Sequence, residues 1–364
     1  MKALVLGRGA SGKGAGALLA SRGVEVDYVE GYDMVVASPG LRTGSELQLG
    51  CEELRRRGVK MLAVTGSKGK SSVVKLVADA TGGVPCGNYG TSVCEVASSP
   101  WPAGKSKWAV VEVSSFQLET TSLAPDTFEA AAVLNLQEDH LDRHGSAAAY
   151  HVLKLKLLSF AKRGVRAWDI APGELASAGA LMAGSYFDND VLRANGAAAA
   201  ALMRAAGLGD AEISRAFASF VPLPHRMERV GEFGGVVCID DSKATSIAAL
   251  RAGVRMAGRP VRLVAGGLAK GDDPFAAIAD LTATVKKVYL IGQCADAFAK
   301  AWRGAVDCEI CGTMEKAVSD AMREAAKGEA LLLSPGAASF DQFANFGERG
   351  EVFAALARKE GQKR

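Results

Sequence analysis

The run Thr65-Gly66-Ser67-Lys68-Gly69-Lys70-Ser71-Ser72, set directly after the apolar residues 61–64, constrains this chain more than any other feature. A short strand, a tight glycine turn and a helix predicted over 71–80 make a phosphate cradle. Glycines let backbone N–H groups turn inward onto an anion, and a helix N-terminus adds partial positive charge. Gly66, Ser67, Lys68, Gly69 and Ser72 would line that cradle, Lys70 can reach the outer phosphates, and the Ser71 hydroxyl can sit on Mg²⁺. The full spacing G-x-x-x-x-G-K-[ST] is not met, because Val64 stands where its first glycine belongs. The shorter form Gly66-x-x-Gly69-Lys70-Ser71 remains, and strand, loop, Lys-Ser and helix fall in the order of an ATP site rather than of a plain turn.

Apolar runs alternate with helical patterns along the chain, as in parallel α/β sheets. Strands are predicted over 2–6, 61–64, 108–113, 131–134, 236–239, 261–265, 285–291 and 330–333. Helices are predicted over 71–80, 147–162, 195–206, 246–256, 314–326 and 348–358. Segments 44–58 and 220–224 read as linkers, the first carrying a charged helix-like run. They divide the 364 residues into expected domains 1–49, 50–222 and 223–364. A net charge of +3 with 23% charged residues argues against a polybasic nucleic-acid binder. No apolar run approaches the ~18 residues of a membrane span, and the apolar part of the first strand is too short for a signal peptide. Seven scattered cysteines fit a reducing cytoplasm. Cys308-x-x-Cys311 has no second pair and is not read as a metal site.

Polar clusters sit at the ends of these strands. Gly7-x-Gly9-x-x-Gly12 follows the first, with Glu30 where a ribose-binding acid would fall. Too few strands fit before the phosphate loop for a full dinucleotide fold, so a truncated nucleotide-diphosphate domain is expected. Strand 108–113 carries Glu112 near its end, where a carboxylate points into the ligand crevice and could hold Mg²⁺ with Ser71. Three of the four histidines, His140, His144 and His151, fall after strand 131–134. His140, beside Glu138 and Asp139, is expected to be functional, and His144 and His151 to lie at the surface. Helix 147–162 presents Lys154 and Lys156, one toward the crevice and the other solvated. Asp241-Ser242-Lys243-Ala244-Thr245, the stretch 266–271 with Lys270, and Ser334-Pro335-Gly336 through Ser339 and Phe340 each follow a strand, as anion, ribose and carboxylate contacts would.

Together these residues resemble the Mur ligases of peptidoglycan synthesis over nearly the whole chain. The strings Ser114-Ser115-Phe116-Gln117-Leu118 and Ala338-Ser339-Phe340-Asp341-Gln342-Phe343 are most similar to the branch that adds D-glutamate. The resemblance implies three open α/β domains: a small Rossmann-like N-terminal one, a P-loop ATPase-like central one and a Rossmann-like C-terminal one. It implies ATP-dependent amide synthesis through an acyl phosphate, with Mg²⁺, in a cytoplasmic monomer. The substrates would be UDP-N-acetylmuramoyl-L-alanine and D-glutamate, with no nucleic-acid or membrane partner. By motif position, Lys70, Asn88, His140 and Lys154 would be catalytic, and Ser71, Glu112, His140 and Lys154 would hold metal, Lys154 as a carbamate. Asn195, Arg226 and Asp241 would bind adenosine, and Lys243, Thr245, Lys270, Ser339, Phe340 and Phe346 would surround D-glutamate. Gly9, Ala10, Ser11, Gly12, Ser38, Pro39 and Gly40 would hold the UDP part. The chain is shorter than typical members after Glu30 and around 166–190, and Leu268 stands where an aspartate is usual. Two other readings stay open: a folylpolyglutamate-type or other relative with a different acceptor, and a degenerate nucleotide-binding homologue. Joint retention of Lys70, Ser71, Glu112, His140 and Lys154 argues against the latter.

Overall fold

The computed structural model describes residues 2–6, 9–29, 45–137 and 141–363. They form two compact units, 1–220 and 221–364. The first runs β1 (Lys2–Leu6), α1 (Ala10–Ser21), β2 (Glu25–Val29), α2 (Glu46–Arg56), β3 (Lys60–Thr65), α3 (Lys70–Thr81), β4 (Val84–Gly87), α4 (Val93–Ser98) and β5 (Trp108–Glu112). It continues through α5 (Ser115–Thr120), β6 (Ala130–Val133), α6 (Leu141–His144), α7 (Ala147–Leu155), β7 (Gly164–Arg166), α8 (Pro172–Leu181), α9 (Arg193–Ala205) and α10 (Asp210–Ala218). β1 and β2 pair in parallel, and a second, wholly parallel sheet has the order β4-β5-β3-β6-β7.

The central sheet explains the apolar runs. Met61, Leu62, Ala63 and Val64 are all buried, as are Ala109, Val110 and Val111 beside them. Continuous rather than alternating hydrophobicity is what a parallel strand covered on both faces requires. Every strand of this sheet points the same way, so the ends of β3, β5 and β6 carry the polar residues to one edge.

The second unit runs β8 (Glu228–Phe233), β9 (Val236–Asp240), α11 (Ile247–Met256), β10 (Val261–Gly266), α12 (Ile278–Thr284), β11 (Val285–Ile291), α13 (Ala295–Trp302), β12 (Cys308–Gly312), α14 (Met314–Glu324), β13 (Ala330–Leu333) and α15 (Phe346–Gly361). Its six-stranded sheet has the order β12-β11-β10-β13-β9-β8 and is parallel except for β8, which runs antiparallel to β9. One face packs on a core containing Leu250, Phe298 and Trp302, the other on one containing Met314, Phe353 and Ala357. A mixed α/β architecture is therefore observed, with three separate sheets among the described residues.

Two local expectations change. Segment 44–58 is not a plain linker: from Ser45 on it holds α2, whose N-terminus is capped by the Ser45 hydroxyl accepting from Gln48 N at 3.1 Å. Leu47, Cys51 and Leu54 are fully buried on one face of α2, while Glu52, Arg55 and Arg56 are exposed on the other. The charge of the exposed face masked that apolar stripe. The helix predicted over 147–162 tightens after Leu155 into a 3₁₀ turn, Lys156–Phe160. Leu54→Ala is expected to cost about 2–5 kcal/mol by leaving a buried void. Chemical denaturation of the full chain measures this; a linker residue would give no shift.

Candidate functional site

In the first unit, the turn after β3 is held by the segment after β6. Ser67 N donates to Asn135 O at 3.0 Å. The Asn135 side chain accepts from Lys68 N at 2.8 Å and donates to Lys68 O at 2.9 Å. The Ser67 hydroxyl donates to Gln137 O at 2.9 Å and accepts from Gln137 N at 3.0 Å. Gly69 caps α3 with φ +84°, in the left-handed region, and a β-carbon there would lie 2.5 Å from Asn195 Nδ2. Only glycine meets both demands. Lys70 Nζ donates to Gly66 O at 2.8 Å and Ser67 O at 3.2 Å, so its ammonium lies back across the loop. Ser71, in the first turn of α3, is half-buried, and Ser72 is buried behind it.

Glu112 closes β5, 2% exposed. Asn88 N donates to Glu112 O, and Asn88 Nδ2 to Glu112 Oε1, both at 2.9 Å. The other carboxylate oxygen, Oε2, is buried with no hydrogen-bond partner. A buried polar oxygen without a partner costs ~1–3 kcal/mol or more, and a hard divalent cation is the partner a carboxylate oxygen suits. The donor set of Glu112 and the Ser71 hydroxyl fits Mg²⁺ chemistry. Lys154 is 2% exposed; its Nζ donates to Gly66 O at 3.1 Å and lies 4.6 Å from the Tyr150 ring centroid. The Tyr150 hydroxyl donates to Ser67 Oγ at 3.2 Å.

The second unit gathers its polar groups at the ends of β9, β10 and β13. Asp241 accepts from Ser334 Oγ at 3.0 Å and Met227 N at 3.2 Å. Burial pushes its carboxyl up to about 7, against those two hydrogen bonds and the pull of Arg226. His225 Nδ1 lies 2.7 Å from Asp240 Oδ2, and both His225 and Met227 hold left-handed backbone, φ +61° and +49°. Fully buried Arg349 donates to the Ser242 hydroxyl and carbonyl and to Ala337 O, at 2.8–3.1 Å, and burial lowers it to about 10. Lys243 Nζ sits 3.8 Å from the Phe346 ring centroid, and Lys270 Nζ donates to Thr245 Oγ1 at 3.3 Å. Ser339 is buried and Phe340 is 69% exposed. Not all the small-residue amides of 334–343 are open to an anion: Gly336 N donates to Ala244 O and Ala338 N to Leu268 O.

Comparison with known proteins now decides the family. The family described as the Mur ligase middle domain matches residues 64–169, and the Mur ligase, glutamate ligase domain matches 225–337. The UDP-N-acetylmuramoylalanine–D-glutamate ligase of Nitratidesulfovibrio vulgaris is 36% identical over 94% of this chain and 81% of its own length. That of Rubrobacter xylanophilus is 35% identical over 96% and 91%. The chain belongs to the Mur ligase family. Its fold is also that of the MurF ligase from Thermotoga maritima, solved in complex with ADP, with a TM-score of 0.63 at 16% identity over 100% of this chain and 95% of that one. A bifunctional folylpolyglutamate synthase/dihydrofolate synthase from Yersinia pestis aligns with a TM-score of 0.56 at 16% identity, over 88% and 95%.

Within this Mur ligase, the first unit brings together Gly66–Ser72, Asn88, Glu112, Lys154 and Asn195, which the sequence spreads over 130 positions. Gly9, Ala10, Ser11 and Gly12 lie at the start of α1, mostly exposed. His140, Ser38, Pro39 and Gly40 lie outside the described residues. Three expectations are corrected. His144 is not a surface residue: its side chain is 4% exposed against Glu119 and Ser115. His151 is half-buried, with Nε2 enclosed. Lys156 is not simply solvated, because its Nζ donates to Leu118 O at 2.9 Å. Sequence reading missed the roles of Asn135, Gln137, Tyr150 and Arg349; Asn135 and Gln137, polar and directly after a strand, were the available signal. A cavity of about 880 Å³ beside β7, lined by Arg163, Arg166, Ala201 and Arg204, contains none of the predicted site residues.

Because the folded Asp241 carboxyl titrates above its ordinary 3.8, its stabilising contribution is complete below about pH 4 and is lost as pH rises through about 7. Asp241→Asn should therefore gain protection relative to the parent chain between pH 4 and 8. Hydrogen exchange at β9 and β13 amides reads this; a constant difference across that range would contradict it.

Proposed function

We propose that this Mur ligase joins D-glutamate to UDP-N-acetylmuramoyl-L-alanine at the expense of ATP, in peptidoglycan precursor synthesis. The observation that carries the reading is that curated relatives 33–37% identical, matched over 72–91% of their length, are named for this activity. A carboxylate cannot expel oxide, so the γ-phosphoryl group is first transferred to the acceptor carboxylate. The D-glutamate amine then attacks the carbonyl carbon of the acyl phosphate, phosphate leaves with its bond electrons, and the amide forms. The chain's contribution is positioning and charge compensation.

In this reading Gly66–Ser72 hold the ATP phosphates and Lys70 swings from its carbonyl partners to the transferred group. Asn195, Arg226 and Asp241 contact adenosine; Gly9–Gly12 with Ser38–Gly40 hold the UDP moiety. Ser71 and Glu112 would hold one Mg²⁺, and His140 and Lys154 a second. When bound, the metal would neutralise phosphate charge. Asn88 fixes Glu112, which supports its placement in the catalytic group. Thr245, Lys243, Lys270, Ser339, Phe340 and Phe346 form the amino-acid side, where two cations suit a dicarboxylate. No helix among the described residues is long and apolar enough to cross a membrane; we place the enzyme in the cytoplasm, as a monomer acting on small molecules.

ADP and phosphate release by the purified chain should require UDP-N-acetylmuramoyl-L-alanine and D-glutamate together. L-glutamate, L-alanine and a diamino acid should fail. Turnover with another amino acid and none with glutamate of either hand would refute the branch assignment.

Lys154 is proposed to be carbamylated. After the ammonium loses a proton, the neutral amine would attack CO₂, forming an N–C bond and releasing a second proton, which turns a buried cation into an oxygen ligand for metal. After equilibration with ¹³C-bicarbonate, a carbamate carbon resonance is expected in the parent chain and not in Lys154→Ala. That variant should lose ligation while largely keeping ATP affinity, whereas Lys156→Ala should be mild. Full ligation by Lys154→Ala would sink the idea.

A further inference from the structure

An organised polar cluster of the first unit, not assigned to the site, surrounds His144. Its Nδ1 is 3.0 Å from Glu119 Oε1, and its Nε2 is 3.1 Å from Ser115 Oγ. Both partners lie on α5, about one turn apart, so the imidazole edge is tied at two points to one short helix. Arg143 pairs with Glu119 at 2.7 Å and lies 4.8 Å from the Phe116 ring centroid. The ring face of His144 stacks with Phe116 at 5.7 Å and 26°, and meets Tyr150 at 5.3 Å and 37°. Tyr150 in turn is buried and donates its hydroxyl to Ser67 in the phosphate loop.

We propose that His144 is a positioning residue for the phosphate loop, acting through Tyr150. A phenol hydroxyl is fixed in space only when its ring is fixed, because rotation about χ1 sweeps the oxygen through the widest arc of the side chain. His144 can serve as the stop because its own ring cannot rotate without breaking the bond to Glu119 or to Ser115. The path therefore runs from α5 through His144 and Tyr150 to Ser67, whose hydroxyl also exchanges two hydrogen bonds with the Gln137 backbone. Gln137 and Tyr150 thus meet on one serine of the nucleotide cradle, Tyr150 backed by His144 and α5. The proposal rests on reading that cradle as an ATP site, not on which amino acid is ligated.

The test is a double-mutant cycle on ATP affinity, measured by calorimetry with the full chain and no acceptor. His144→Ala and Tyr150→Phe are each expected to weaken ATP binding about three- to tenfold, and the double variant should be no weaker than the poorer single one. His144→Asn keeps a donor near Nδ1 for Glu119, and His144→Gln keeps an amide near Nε2 for Ser115. Each should retain more affinity than alanine, and either can replace it in the cycle if His144→Ala does not fold. In ligation assays the KM for D-glutamate should stay within about twofold while that for ATP rises. Losses that multiply in the double variant, unchanged ATP affinity in His144→Ala, or equal rises in both KM values would overturn the proposal. A chain that binds ATP with the expected coupling yet does not ligate D-glutamate would instead refute the assigned function alone.

Discussion

The buried end of β3 is the constraint on which the first unit depends. Its strand is enclosed on both faces, so the chain leaving it must turn at once and satisfy the polar groups of that turn without water. Asn135 does this by presenting an amide that pairs with both the N–H and the carbonyl of Lys68, much as a neighbouring strand would. Ser67 is held from Asn135, Gln137 and Tyr150. The loop is thus pre-shaped before any anion arrives, and binding need not meet the full entropic cost of ordering it. The glycine at position 69 is the local counterpart of that clamp, since its left-handed backbone lies against Asn195.

The second unit solves a different problem with a single buried cation. Arg349 places its guanidinium where it can donate to Ser242 twice and to Ala337 once. The segments after β9 and β13 carry Lys243, Thr245 and Ser339, and the strand-like pairing described for them is one isolated bridge, Leu268 with Ala338. A rigid fork with several donors suits that task better than a lysine, whose ammonium is a compact point charge. Asp240 and Asp241, both raised by burial, sit at the same strand end with opposite tasks. Asp240 receives His225 and Ser242 N, and Asp241 receives Ser334 and Met227 N. The two left-handed residues His225 and Met227 are what this pairing costs in backbone strain.

Glu112 shows how a carboxylate can be held ready for the Mg²⁺ proposed to bind it. One oxygen is committed to Asn88 and the other is left enclosed and unpartnered. Gly87 makes this possible, because its positive φ and the absence of a side chain let β4 press against the Glu112 carbonyl. Lys154 approaches the same loop from α7 through Gly66 O. Lys154 is buried against Tyr150, whereas Lys156, two residues on at the start of the 3₁₀ turn, donates its ammonium to Leu118 O of α5.

Local signals were legible without coordinates. Strand runs of continuous apolar residues, the glycine-rich turn before a helix, and polar residues directly after strands each depend on neighbours a few positions away. From them followed the α/β class, the phosphate loop, Glu112 and the expectation that one of Lys154 and Lys156 faces it, whereas Asn88 and the choice of Lys154 came only from the resemblance to the family. Tertiary structure decided what those signals could not reach. Segment 44–58 read as a linker with a charged helix-like run because five of the eleven residues of α2 are charged, and only packing on α4 reveals which face matters. His144 read as a surface residue because Ser115 and Glu119, which enclose it, are 29 and 25 positions away. Asn135 and Arg349 gained their roles from partners 67 and 107 positions distant. Turn chemistry and hydrophobic period are written locally, whereas burial and hydrogen-bond partnership are properties of segments that meet only when the sheet has formed.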